Sequence, residues 1–209
     1  RIVPSPPITT TDAHVTTTHV ATLPPASGQV VAPSNAYDAK GLMIASIRDP
    51  DPVVFLEPKA RYWAKEDGEL TTDGPGIGEG RVARDGDSCV VFAYGAMVAR
   101  CLEAAAMLEA EGLSVRVVDL RSLAPLDVDL IGRSARETGR AVVVHEAPKS
   151  LGMGGEVAAR IMEEAFDFLQ SPVERVTGWD VPYPPAALEH RYLPSVDRIA
   201  AAVRRVTSY

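Results

Sequence analysis

His145 and Glu146 close the apolar run Ala-Val-Val-Val at 141–144, which reads as a strand of an α/β sheet. Open α/β sheets bind ligands beyond the carboxyl ends of their strands, so an imidazole beside a carboxylate there has the residue types for proton transfer. No nucleophile stands beside the pair, and the same two groups suit a subunit contact. The contact is the expected role, since polar groups at strand ends mostly just make hydrogen bonds. Two glycine-rich stretches have the composition of phosphate loops. GPGIGEG (74–80) neither follows a strand nor opens a helix, so its amides are not organised around an anion, and it reads as a flexible linker. GMGGEVAARI (152–161) does lie between a strand and a helix. Glu156 would repel an anion from that helix start, with Lys149 the one nearby cation, so a tight turn or close chain contact is expected there. Residues 178–194 carry Trp179, Tyr183, Tyr192 and four prolines, with Asp180 and Glu189 among them. Such a loop either binds a partner at little entropic cost or covers the end of the sheet.

The elements that must position these groups follow from the apolar pattern. Val30-Val31-Ala32 is a short strand closed by Pro33, and Ser34 or Asn35 can cap a following helix with Asp38 in its first turn. Asp49-Pro50-Asp51-Pro52 ends that helix, and VVFLE (53–57) follows as a run of buried-strand type. Residues 58–84, rich in charge and glycine, read as a linker. Then come a strand at 89–95, a helix at 96–111 facing inward with Met97, Cys101, Ala104, Ala105 and Leu108, and a strand at 115–120. A helix started by Pro125 and Asp127 and ending near Thr138-Gly139, a strand at 141–146, a helix at 155–169, a strand at 173–177 and a last helix capped by Ser195 complete the order. Strands that are apolar on both faces and alternate with helices indicate a sheet between two helix layers.

Composition narrows the function. The 209 residues are 46% hydrophobic and 23% charged, enough apolar mass for a real core. A formal net charge of −7 argues against a nucleic-acid partner. Cys89 and Cys101 sit in apolar runs without further cysteine or histidine neighbours, as buried free thiols of a reducing compartment do. No run approaches the length of a membrane span, and residues 1–29, with seven threonines and five prolines, read as an extended arm. The expected location is the cytoplasm, or the mitochondrial matrix in a eukaryote.

Five blocks in order, VVAPSNAYDAKGLMIASIRDPDPVVFLEPK (30–59), VVFAYGAMVARCLEAA, VRVVDLRSLAPLDVDLI, TGRAVVVHEAPKSLGMGGEVAARI and RVTGWDVPYPPAALEHRYLPSVDRI, resemble the beta subunit of thiamine-diphosphate-dependent 2-oxo acid dehydrogenases of the pyruvate and branched-chain type. The resemblance implies a three-layer α/β/α transketolase C-terminal-like domain over 85–209, with a five-stranded mixed, mostly parallel sheet. A βαβ remnant of the pyrimidine-binding domain would precede it over 30–57. It implies an alpha subunit, a second beta subunit and a dihydrolipoyl acyltransferase as partners, without nucleic acid or membrane. Thiamine diphosphate and magnesium would be held only in the full assembly. His145, Glu146, Trp179, Asp180, Tyr183, Glu189 and Tyr192 are the expected partner-interface residues. The ASIRDPD segment resembles one that holds a structural potassium ion, and Ser46, Ile47, Asp49 and Asp51 are the ligands carried over. Counting back from Val30 puts His14 where the family has a catalytic loop histidine in an HSQS motif, although here the neighbours read HVTT. The glutamate that activates the cofactor has no counterpart, so the isolated chain is expected to be inactive. A non-catalytic interaction module and the C-terminal part of a transketolase-like enzyme are the alternatives. DPDPVVFLEPK and RVTGWDVPYPP argue against the latter.

Overall fold

The computed structural model describes residues 28–65 and 74–209. Its elements are β1 (Gln29–Val31), α1 (Ala36–Arg48), β2 (Val53–Phe55), β3 (Arg81–Arg84), β4 (Cys89–Ala93), α2 (Met97–Glu109) and β5 (Val115–Asp119). They continue as β6 (Ser122–Ala124), α3 (Val128–Thr138), β7 (Ala141–Pro148), α4 (Gly154–Ala165), β8 (Glu174–Gly178), the single turn α5 (Glu189–Tyr192) and α6 (Val196–Thr207).

The strand alternation explains the layers. Cys89, Val91 and Ala93 of β4 enter one apolar cluster with Val142 and Val144 of β7, while Val90, Phe92 and Val143 enter another. Successive side chains point to opposite faces, so a strand apolar at every position needs cover on both sides. Helices α2 and α6 cover the first face through Cys101, Leu108, Ile199 and Val203. Helices α3 and α4 cover the second through Ile131, Ala135, Val157 and Ile161. The sheet order is β3-β5-β4-β7-β8, with β3 antiparallel and the others parallel. This is the expected three-layer α/β/α architecture with a five-stranded, mostly parallel sheet. The caps also follow the sequence: Asn35, Asp127 and Ser195 accept from the amides of Asp38, Leu130 and Arg198, and Gly139 ends α3 in the left-handed region.

Four local expectations need correction. Strand β3 lies within 58–84, where composition reads as linker; Arg81 and Arg84 disguise an antiparallel edge strand whose outer side faces solvent. Strand β6 was not expected at all. Residues 53–57 are not buried on both faces, because among the described residues β2 pairs only with β1 and Val54 remains 37% exposed. Helix α4 stops at Ala165 and gives way to a 3₁₀ turn, Phe166–Phe168.

Strand β6 fixes how the early segment sits. β1 runs parallel to β2 and antiparallel to β6, with Ala32 N–H donating to the Arg121 carbonyl at 2.7 Å. The GPGIGEG stretch adds a second tie, so part of it is not a free linker. A Cβ on Gly41 of α1 would lie 2.6 Å from the Gly74 Cα, and only two glycines allow backbones this close.

Candidate functional site

The seam between 28–48 and the larger sheet holds the most concentrated buried charge. Asp38 and Asp119 are both fully buried, and Arg121 nearly so. Arg121 Nη2 donates to Asp38 Oδ1 at 2.5 Å, and Ser34 Oγ donates to Asp119 Oδ2 at 2.5 Å. Arg81 lies 3.6 Å from Asp38 and 3.8 Å from Asp119. Burial pushes the Asp119 carboxyl up to about 6; the Ser34 hydroxyl opposes this, the Asp38 charge reinforces it, and Arg81 and Arg121 oppose it. These groups join elements far apart in sequence and bond to one another, which makes them a structural lock.

The loops after β4, β7 and β8 gather at the carboxyl end of the parallel strands. His145 is fully buried there, so it does not present itself to a partner as the sequence suggested. The cause is the GMGG turn. A Cβ on Gly154 would fall 2.4 Å from His145 Nε2, and one on Gly152 would fall 2.6 Å from Cε1. Glycine at both positions lets the chain close over the ring, in keeping with the close-contact reading of that motif. The ring stacks on Tyr94 with centroids 6.3 Å apart. Burial, then the Arg175 charge, pushes the imidazole down to about 4, with the Ala147 backbone opposing. At neutral pH it is uncharged and sealed from solvent. Glu146 beside it is half-buried, and desolvation raises its carboxyl, opposed by Arg100 and reinforced by Glu189. Neither cysteine offers a thiolate: burial pushes Cys89 up to about 12 and raises Cys101 as well.

The loop 178–194 presents the surface that His145 does not. Trp179 is 52% exposed, its Nε1–H donates to the Arg191 carbonyl at 3.0 Å, and the Arg198 guanidinium lies 4.3 Å above its ring. Asp180 accepts from the Ser150 amide and hydroxyl, both at 2.9 Å, which binds the loop after β7 to the loop after β8 and holds its carboxyl below the usual range. Tyr183 meets Tyr192 edge to face at 5.1 Å. Tyr192 is buried, so of the expected contact residues it supports the surface from beneath. Leu151 (81% exposed), Val181 and Leu188, none of which sequence reasoning singled out, are likewise exposed in the loops that follow β7 and β8. Exposed apolar side chains in loops beyond one end of a sheet suit an interaction surface. Glu189 is half-exposed at its rim.

At the end of α1, Ser46 Oγ donates its proton to the Leu42 carbonyl at 2.6 Å. Pro50 and Pro52 lack the N–H groups that would meet the carbonyls of Ser46 and Arg48, and the Asp51 amide donates to Asp49 Oδ1 at 2.9 Å. Gln29 Nε2 donates to the same oxygen at 2.9 Å. His14 lies outside the described residues. Two concavities among the described residues are open: one of about 330 Å³ is lined by Asp85, Gly86, Asp87, Ser114 and Arg116, and one of about 250 Å³ lies beside Trp179. Neither encloses a cofactor the size of thiamine diphosphate, and no group of three or more His, Cys, Asp or Glu side chains among the described residues could hold its magnesium. By themselves the described residues do not fit that cofactor. Among them, too, no helix is long and apolar enough to cross a membrane.

Comparison with known proteins agrees with this geometry. Residues 78–199 match the family described as transketolase, C-terminal domain. The 3-methyl-2-oxobutanoate dehydrogenase subunit beta of Mycobacterium tuberculosis is 47% identical over 179 residues, which cover 85% of this chain and 51% of that protein. The pyruvate dehydrogenase E1 component subunit beta of Leifsonia xyli is 44% identical over 181 residues, covering 87% and 54%. The chain thus spans about half the length of these curated relatives. Among solved structures, a protein described as split gene transketolase, inactive beta4 tetramer superposes with a TM-score of 0.76 at 32% identity, over 92% of this chain and 60% of that one.

Proposed function

We propose, since the chain belongs to the transketolase C-terminal domain family, that it is the carboxyl-terminal part of a beta-type subunit of a 2-oxo acid dehydrogenase. Its contribution is assembly: it meets an alpha subunit, a second beta subunit and the dihydrolipoyl acyltransferase that receives the acyl group. The observation that supports this most is the exposure of Leu151, Trp179, Val181 and Leu188 in the loops that follow β7 and β8, the first loop bound to the second through Ser150 and Asp180. A surface of that kind is stabilised by burial against another chain.

Decarboxylation of the 2-oxo acid would occur on thiamine diphosphate held elsewhere in the assembly, since neither open concavity among the described residues encloses it. A structural potassium ion is supported by the end of α1. The carbonyls of Ser46 and Ile47 would hold it there, with the side chains of Asp49 and Asp51 adding hard oxygen ligands. The helix terminus places partial negative charge at that point.

Calorimetry with thiamine diphosphate and magnesium, run beside a decarboxylation assay on pyruvate and branched-chain 2-oxo acids, tests the division of labour. The isolated chain is expected to give neither heat of binding nor turnover. Micromolar binding with turnover comparable to an assembled enzyme would show that it carries the reaction itself.

A further inference from the structure

Strand β8 forms one edge of the five-stranded sheet, and an open groove of about 250 Å³ runs between it and α6. Its lining is Arg175, Val176, Trp179, Arg198, Ala201 and Arg205. Three arginines among six residues stand out on a chain of net charge −7. They are not equivalent. Arg205 is neutralised by Glu174 through bonds of 2.7 and 2.5 Å. Arg175 and Arg198 have no carboxylate within ion-pair distance among the described residues, unlike Arg84, Arg116, Arg160 and Arg204. Their hydrogen bonds go to backbone carbonyls: Arg175 to Lys149 at 3.1 Å, and Arg198 to Thr177 at 2.7 Å and Tyr192 at 3.5 Å. Those carbonyls orient the two guanidinium groups without cancelling their charge, and partial burial of Arg198 is opposed by no acid.

We propose that this groove docks an acidic peptide segment of a partner chain, with carboxylates on Arg198 and Arg175 and an apolar side chain against Trp179. Arg198 and Arg205 are seven residues apart on α6, so the groove follows about two helical turns, roughly 10 Å. About three residues of extended peptide cover that length. Planar guanidinium groups bind carboxylates through paired, charge-assisted hydrogen bonds, and an exposed tryptophan supplies the apolar anchor. A small free anion finds less here. The walls are side chains, and Ser195 Oγ already accepts from the Arg198 amide at the start of α6, at 3.2 Å. Trp179 also belongs to the exposed loop residues of the proposed contact surface, but the two arginines, without a carboxylate partner among the described residues, do not depend on the dehydrogenase reading.

The test uses the full chain carrying Trp63→Phe, which leaves Trp179 as the sole tryptophan reporter. The probe is a capped Glu-Glu-Leu-Glu-Glu peptide, with its Lys-Lys-Leu-Lys-Lys counterpart and inorganic phosphate as comparisons. A saturable change in Trp179 fluorescence is expected with the acidic peptide alone. It should weaken about tenfold or more at high salt, and by a similar factor in Arg198→Glu and Arg175→Glu. Arg175→Glu keeps the test sound if loss of the Arg198 bond to Thr177 unfolds the first variant. Absence of saturable binding would overturn the proposal, as would unchanged affinity in a charge-reversed variant that melts like its parent. Displacement by phosphate at equal concentration would reduce the groove to an anion site. Loss of self-association on charge reversal, without any peptide binding, would make a second copy the occupant.

Discussion

Asp38→Ala is expected to lose about 3–5 kcal/mol of stability, with the loss concentrated where residues 28–48 meet the larger sheet. Asp38 is fully buried and receives the Arg121 guanidinium at 2.5 Å. Removing the acid leaves that guanidinium buried with only the more distant Asp119 to compensate, and an uncompensated buried charge costs far more than the pair gains over water. Urea unfolding gives the size of the effect, and hydrogen exchange across 30–47 gives its location. A change below about 1 kcal/mol would mean that the cluster is better hydrated than its burial indicates. The pH dependence carries a matching signature. The Asp119 carboxyl stands near 6 in the folded chain, above its ordinary 3.8. Its contribution is therefore fully present below about 3.8 and is lost as pH rises through about 6. Relative to Asp119→Asn, the wild-type melting temperature should rise as pH falls from about 7 to about 5.

Leu151→Asp is expected to weaken association with a partner chain by about 30-fold or more, the equivalent of about 2 kcal/mol at an interface anchor. Leu151 is 81% exposed, so the change leaves the fold intact while setting a charge in the loop that Ser150 binds to the Trp179–Asp180 loop. Sedimentation velocity over a concentration series measures it. Equal association constants for the variant and its parent, at equal melting temperature, would move the contact surface elsewhere. Leu151 lies outside the Arg175–Arg198 groove, so the two surfaces can be tested separately.

The large sheet is legible in the sequence because β4 and the first four residues of β7 are apolar throughout, and each helix carries one apolar stripe, as in α2 with Cys101 and Leu108. Strand β3 escapes the same reading because Arg81 and Arg84 bracket only two apolar residues, and a solvated edge tolerates charge. Strand β6 is three residues long and exists only because β1 pairs with it from more than 90 positions away. The buried lock is hidden for the same reason: Ser34 and Asp119 are 85 residues apart, and Asp38 and Arg121 are 83 apart. No local pattern marks such pairs. The proposed contact surface is legible in part. Trp179 and Asp180 stand out by type, but Leu151, Val181 and Leu188 are single apolar residues in polar loops, and their exposure emerges only from the fold. His145 misleads because its position at a strand end suggests exposure, whereas Gly152 and Gly154 bring the next loop down onto it.

Association with other chains is the proposed role of this chain, and light scattering coupled to size exclusion measures it, on the chain alone and after mixing with an alpha-type subunit or the peripheral subunit-binding domain of an acyltransferase. A mass of at least two chains is expected, or a stable mixed complex that elutes ahead of either component. A mass of one chain at every concentration, unchanged by either partner at low salt, would contradict it.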